Sequence, residues 1–131
     1  MSIPKMTVLV VGASGSIGRL VGDEAIKVGH AVRALVRTRA KASQLPSEAE
    51  VIIGDVTQPD SLASAVEGVD AVVFTLGSDG SGKAGAESVD YGGVRNVLGA
   101  LGNRKVRIAL MTSIGVTNRT SDYNRTTEAH F

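Results

Sequence analysis

Val8-Leu9-Val10-Val11-Gly12-Ala13-Ser14-Gly15-Ser16-Ile17-Gly18-Arg19 is the stretch that decides the fold. It reads as an apolar strand that ends in glycines and opens into a helix. The strand carries the chain to the edge of a sheet. Glycines there let the backbone turn tightly and come within hydrogen-bonding distance of an anion. The following helix points its free N–H groups and the positive end of its dipole at the same place. Such a turn suits a dinucleotide pyrophosphate. A glycine turn joining strand to helix in some other α/β domain is the bland alternative, and the surroundings decide between them.

Outward from this turn, apolar runs and helical patterns alternate. Met6–Val11 reads as strand one. Ser16 to about Val28 reads as a helix, with Ile17, Leu20, Val21, Ala25 and Val28 as its apolar stripe. Ala31–Val36 is strand two, and a basic stretch from Arg37 to Lys41 follows it and opens a small helix. Glu50–Ile53 is strand three. Pro59 or Asp60 opens a helix that runs to about Val66. Val69–Thr75 is strand four, and a glycine- and serine-rich loop runs from Leu76 to Gly85. Glu87 to about Leu101 is a long helix with Val89, Val94, Val97, Leu98 and Leu101 inward, and Val106–Met111 is strand five.

Five strands alternating with four helices imply right-handed crossovers and a parallel sheet covered on both faces. The expected architecture is a three-layer, doubly wound α/β domain of the Rossmann type, with strand order 3-2-1-4-5. Its ligand crevice lies at the carboxyl ends of strands one and four, where the order reverses. One domain spans residues 1–131, with no internal repeat or linker.

Composition agrees with this and excludes several classes. Aromatic residues make up 3% of the chain, so the core is aliphatic, as a sheet buried on both faces requires. The net charge of +1 and the scarcity of aromatics argue against a nucleic-acid partner. The absence of cysteine removes disulfides, thiolate catalysis and cysteine-bound metal, and no metal site is expected. Apolar runs are too short for a membrane span, and the first residues carry no signal-peptide pattern, so the expected location is cytoplasmic.

The glycine spacing is G-x-x-G-x-x-G, not G-x-G-x-x-G. In this the chain resembles the extended and atypical short-chain dehydrogenase/reductases, including their NmrA-like branch. The turn residues Gly12, Ser14, Gly15, Ser16, Ile17 and Gly18 are then the pyrophosphate contacts. Arg37 follows strand two, nineteen positions after Gly18. An acidic residue here binds the ribose 2′-hydroxyl of NAD, whereas an arginine suits the 2′-phosphate of NADP. Arg39 adds charge nearby, and a solvated basic loop is the plainer alternative. NADP is therefore the expected cofactor, ahead of NAD.

The resemblance assigns further positions. Asp55 and Val56 after strand three lie against the adenine, although Asp55 equally suits the cap of a turn. Thr75, Leu76 and Gly77 at the end of strand four pass beside the ribose and nicotinamide. Asn96 belongs to a D…G…N stretch that faces cofactor and sheet, or else serves helix packing. Ser113, after strand five, hydrogen-bonds a substrate carbonyl, with Thr112 as its neighbour and turn capping as the alternative.

Two departures follow. The family's Y-x-x-x-K pattern is broken, because Tyr123 is followed four residues later by Thr127 and Arg125 has the wrong spacing. Tyr123 remains as a proton-donor candidate without its lysine, and His130 reads as surface. Members of the family also continue well beyond strand five, so the chain is expected to be a truncated nucleotide-binding part without the C-terminal strand and substrate lobe. Strand five would then be an open apolar edge, with self-association through that face or marginal solubility as the expected result.

The implied function is the NADP(H)-binding domain of a hydride-transferring oxidoreductase acting on a small carbonyl-type molecule. A non-catalytic NADP sensor of the NmrA type is the alternative, favoured by the broken tyrosine–lysine spacing. A sugar-nucleotide epimerase or dehydratase is a third reading, disfavoured by the same spacing.

Overall fold

The computed structural model describes residues 5–75 and 92–110. In these residues the chain alternates as the sequence pattern predicts. The strands are β1 (Thr7–Val11), β2 (Ala31–Val36), β3 (Glu50–Ile53), β4 (Ala71–Phe74) and β5 (Arg107–Leu110). The helices are α1 (Ser16–Lys27), α2 (Ala63–Val66) and α3 (Gly92–Leu101). A 3-10 helix, Arg39–Gln44, connects β2 to β3, and another, Pro59–Leu62, runs directly into α2. The pattern from Pro59 to Val66 is thus one helical segment whose first turn is wound more tightly. Proline at its start needs no N–H partner and has its φ already set.

The strands form one parallel sheet in the order β3-β2-β1-β4-β5. This is the predicted doubly wound α/β topology. β1 lies at the centre, paired with β2 through Val11↔Leu35 and with β4 through Val11↔Phe74. Right-handed crossovers in opposite directions from β1 place helices on opposite faces.

The side chains of β1 alternate between those faces. Leu9 and Val11 join Leu35, Leu62, Val66, Val72, Phe74, Val94, Val97 and Leu101 in the larger core, under α2 and α3. Val8 and Val10 join Val32, Ala34 and Ala71 in the smaller core, against Val21, Ala25 and Ile26 of α1. Burying the side chain of Leu9, Leu62 or Phe74 contributes about 1.5–3 kcal/mol each.

Two predicted stripes need correction. On α1, Ile17, Leu20 and Val28 are exposed, by 47%, 68% and 50%. The buried positions are Gly18 and Gly22, with Val21, Ala25 and Ile26 half-buried. The helix sits on the sheet through glycines rather than through its larger apolar residues. A pattern that counts only side-chain hydrophobicity turns such a helix by a fraction of a turn. On α3, Leu98 is likewise exposed, while Gly93, Val94, Val97 and Leu101 face inward. The burial of Gly93 agrees with close packing as the reason for a helix glycine. Val89 lies outside the described residues.

β5 forms one edge of the sheet, and all four of its residues are exposed. Among the described residues no helix is long and apolar enough to cross a membrane.

Candidate functional site

Because the sheet is parallel, the carboxyl ends of all the strands share one edge. There β1 delivers Gly12, β2 delivers Arg37, β3 delivers Gly54 and Asp55, and β4 delivers Thr75. Backbone bonds hold these ends side by side. The Thr75 amide donates to the Val11 carbonyl at 2.9 Å, and the Gly54 amide donates to the Val36 carbonyl at 2.9 Å.

Gly12 takes φ +89°, a left-handed conformation that a side chain makes costly. This turn reverses the chain so that α1 starts directly above the end of β1. The carbonyl oxygen of Gly12 then becomes a hub. It accepts the Gly15 amide at 3.1 Å and lies 3.3 Å from the Thr75 hydroxyl. A Cβ on Gly18 would collide with this carbonyl and would lie 2.9 Å from Thr75 Oγ1. Gly18 therefore serves helix–strand packing. Gly15 differs, since a Cβ there would meet only Gly12 O, at 3.4 Å, and the residue is exposed.

The start of α1 is left open for an anion. Gly15 is its N-cap and supplies no side-chain acceptor, and no acidic residue stands in the first turn. The first amides of a helix have no partner within it. Here Ser16 and Ile17 are exposed and Ser14 is half-buried, so the turn presents backbone N–H groups with little side-chain cover. That donor set, at the positive end of a helix dipole, fits a pyrophosphate.

The β3 end is braced from within. Asp55 Oδ1 accepts the Thr57 amide at 2.8 Å and the Thr57 hydroxyl at 2.7 Å. Ser61 Oγ accepts the Asp55 amide at 2.9 Å and lies 2.8 Å from the Gln58 carbonyl, to which it can donate. Asp55 thus caps its own turn, one of the two roles open from the sequence. The two Thr57 bonds hold its carboxyl below the ordinary carboxylate range, and the nearby Arg37 guanidinium lowers it further. Burial acts against these but does not overcome them. Asp55 therefore remains an anionic acceptor beside a cationic donor.

Arg37 and Arg39 are both exposed at the carboxyl edge, where they are free to meet a solvent-borne group. Val56 is buried, and its carbonyl accepts the Asn96 side-chain amide at 2.7 Å. Asn96 thus ties α3 to the loop that carries Asp55 and Val56. Its amide group is spent on that backbone contact. Sequence reasoning missed Ser61 and Thr57, whose hydroxyls shape this loop; polar residues in a turn carry no signal of what they bond. Leu76, Gly77, Ser113 and Tyr123 lie outside the described residues, as do Thr112 and His130.

A family model described as NAD(P)H-binding matches residues 12–131. The chain belongs to this NAD(P)H-binding family. Its first matched residue is Gly12, where the glycine turn begins. The NAD(P)H-binding chain is similar to the photosystem II assembly factor Ycf39 of Cyanophora paradoxa, with 36% identity over 110 residues, 83% of this chain and 34% of that protein. It is also 31% identical over 130 residues to a Bacillus subtilis protein described as the uncharacterized sugar epimerase YhfK, covering 96% of this chain and 61% of the relative. Among solved structures, a putative NAD-dependent epimerase/dehydratase from Bacillus halodurans superposes with a TM-score of 0.80 at 25% identity, over 93% of this chain and 61% of that one. The chain spans about a third of the length of the Ycf39 relatives it matches.

Proposed function

We propose that this NAD(P)H-binding domain takes NADP(H) in preference to NAD(H), with Arg37 as the selecting residue. The observation that carries this reading is the place of Arg37. It follows β2 immediately and is exposed at the edge that also holds the phosphate turn. A guanidinium there offers a fork of donors to a 2′-phosphate. An acidic residue, the complement of a free ribose hydroxyl, is absent from this position. Arg39, exposed two residues on, adds positive charge to the same corner. Asp55 and Val56 line the adenine side, and the amides of Ser14, Ser16 and Ile17 hold the pyrophosphate.

NADPH, when bound, supplies a hydride. In the complete protein the reading is transfer to a small carbonyl-type substrate, with Ser113 polarising the carbonyl and Tyr123 the candidate proton donor. A second reading, a non-catalytic NADP-responsive regulator, draws support from two observations. Tyr123 lacks a lysine four residues later, and the chain is similar to a protein named as an assembly factor.

Titration of the purified protein with NADPH and NADH tests the cofactor assignment. The expected preference for NADPH is about tenfold or more, equivalent to about 1.4 kcal/mol. Arg37→Leu should abolish it. Equal affinities in the wild type would overturn Arg37 as selector. A screen of carbonyl compounds with NADPH oxidation as readout separates the two readings. Turnover removes the regulator, whereas tight binding without turnover across the screen removes the reductase.

A further inference from the structure

The end of β4 holds a side chain whose hydroxyl the cofactor reading leaves without a task. Thr75 is half-buried, and the resemblance places it beside the ribose and nicotinamide as a direct contact. In the structure its hydroxyl turns the other way. Oγ1 lies 3.0 Å from the Val11 carbonyl and 3.3 Å from the Gly12 carbonyl, both oxygens of the neighbouring strand end. The Thr75 amide donates to Val11 O as well. Thr75, the residue after β4, therefore meets the last carbonyl of β1 and the first carbonyl of the glycine turn.

The consequence follows from the peptide unit. No peptide bond among the described residues is cis, and a trans peptide is planar with its C=O and N–H pointing in opposite directions. The Gly12 carbonyl points inward, toward the Gly15 amide, the Thr75 hydroxyl and the bare Cα of Gly18. The other edge of the same peptide is the amide of Ala13, which points the opposite way from that carbonyl, and Ala13 itself is buried in the smaller core. Among the described residues no backbone carbonyl accepts the amide of Ala13 or of Ser14. Gly12 at φ +89° has no side chain to hold this orientation, so the restraint must come from what its oxygen meets.

We propose that Thr75 is a positioning residue for the phosphate turn. Its hydroxyl holds the Gly12 peptide with the carbonyl inward, and so fixes the turn whose Ser14, Ser16 and Ile17 amides meet the cofactor pyrophosphate. This rests on the NADP(H) reading above. Without the hydroxyl the Gly12 peptide keeps only the Gly15 amide as a donor, and the turn gains freedom that ligand binding must remove. The adenine and 2′-phosphate contacts, on the β2 and β3 ends, do not depend on that peptide.

The test compares two ligands in three proteins. NADPH spans the whole site, whereas adenosine 2′-monophosphate lacks the pyrophosphate and reads only the adenine and 2′-phosphate corner. Thr75→Val keeps the shape and removes the donor; Thr75→Ser keeps the donor and removes the methyl. T75V should weaken NADPH by about five- to tenfold, the scale of one hydrogen bond, and leave adenosine 2′-monophosphate within about twofold. T75S should bind NADPH within about twofold of the wild type. Unchanged NADPH affinity in T75V overturns the inference. So does an equal loss for both ligands, which is the mark of general unfolding, and so does a T75S protein as weak as T75V. A wild type that fails to bind NADPH overturns the cofactor reading and the inference with it, an outcome distinct from a wild type that binds and a T75V that binds equally well.

Discussion

Arg33 Nη1, on β2, donates to the carbonyl of Ala65 near the end of α2 at 2.9 Å. The same nitrogen lies 2.6 Å from the Glu67 carbonyl, and Nε donates to Glu50 Oε1 at 2.9 Å. The last carbonyls of a helix have no partner within it, and a cation is their natural complement. One arginine in the sheet thereby closes α2, the short helix that leads into β4.

Arg33→Met should destabilise the fold by about 1–3 kcal/mol, because it strands the part-buried Ala65 carbonyl. Glu50→Gln should cost less than about 1 kcal/mol, since the Glu50 side chain is 61% exposed and its ion pair is screened. Urea unfolding of the two variants checks the ranking. Equal losses would place the stabilisation in the ion pair instead of the helix cap.

Gly18 and Gly15 look alike in the motif and should respond differently. Gly18→Ala drives a methyl into the Gly12 carbonyl, which is backbone and moves only with the turn, so a loss of about 1–3 kcal/mol is expected. Gly15→Ala meets one atom at 3.4 Å and should leave thermal stability close to that of the wild type. Any effect of G15A should appear in cofactor affinity, where a methyl stands between backbone and phosphate. Thermal melts with and without NADPH separate the two kinds of loss.

Gly99 is exposed in the last turn of α3, and among the described residues nothing lies within 4 Å of where its Cβ would be. Gly99→Ala should therefore stabilise the protein by about 0.8–1 kcal/mol through helix propensity alone. A higher denaturation midpoint with an unchanged slope is the expected result; a lower one would show that α3 is packed there.

The Asp55 carboxyl titrates below the ordinary carboxylate range, chiefly through its two bonds from Thr57. A carboxyl depressed in the folded state stabilises the fold above its unfolded pKa. That contribution is lost as the pH falls through the folded pKa. Thr57→Val removes the hydroxyl bond, so the Asp55 pKa should rise toward the ordinary value and the acid-dependent loss of stability should become smaller and be complete at a higher pH. Carbon-detected titration of the Asp55 carboxyl in both proteins measures this directly. An unmoved pKa in T57V would assign the depression to the Thr57 amide and Arg37.

The sheet, its order and the site at its carboxyl edge were legible in the sequence because they depend on patterns that survive without coordinates. A strand buried on both faces must be apolar throughout, as Val8–Val11 and Val32–Val36 nearly are. A turn that takes positive φ and meets a helix backbone must be glycine, as at Gly12 and Gly18. Alternation of such strands with helices leaves few topologies, and the handedness of the crossovers selects one. The placement of Arg37 and Asp55 beside the turn follows from that topology.

The tertiary structure alone decided which way individual groups face. It turned α1 so that Gly18 and Gly22, rather than Ile17 and Leu20, meet the sheet. It set the Thr75 hydroxyl on the Val11 and Gly12 carbonyls, the Asn96 amide on Val56, and Arg33 on the end of α2. Each of these bonds joins residues at least 32 positions apart in the chain. Sequence periodicity reports on neighbours within a turn or a strand; a polar side chain chooses its partner only after packing has brought distant backbone within about 3 Å of it.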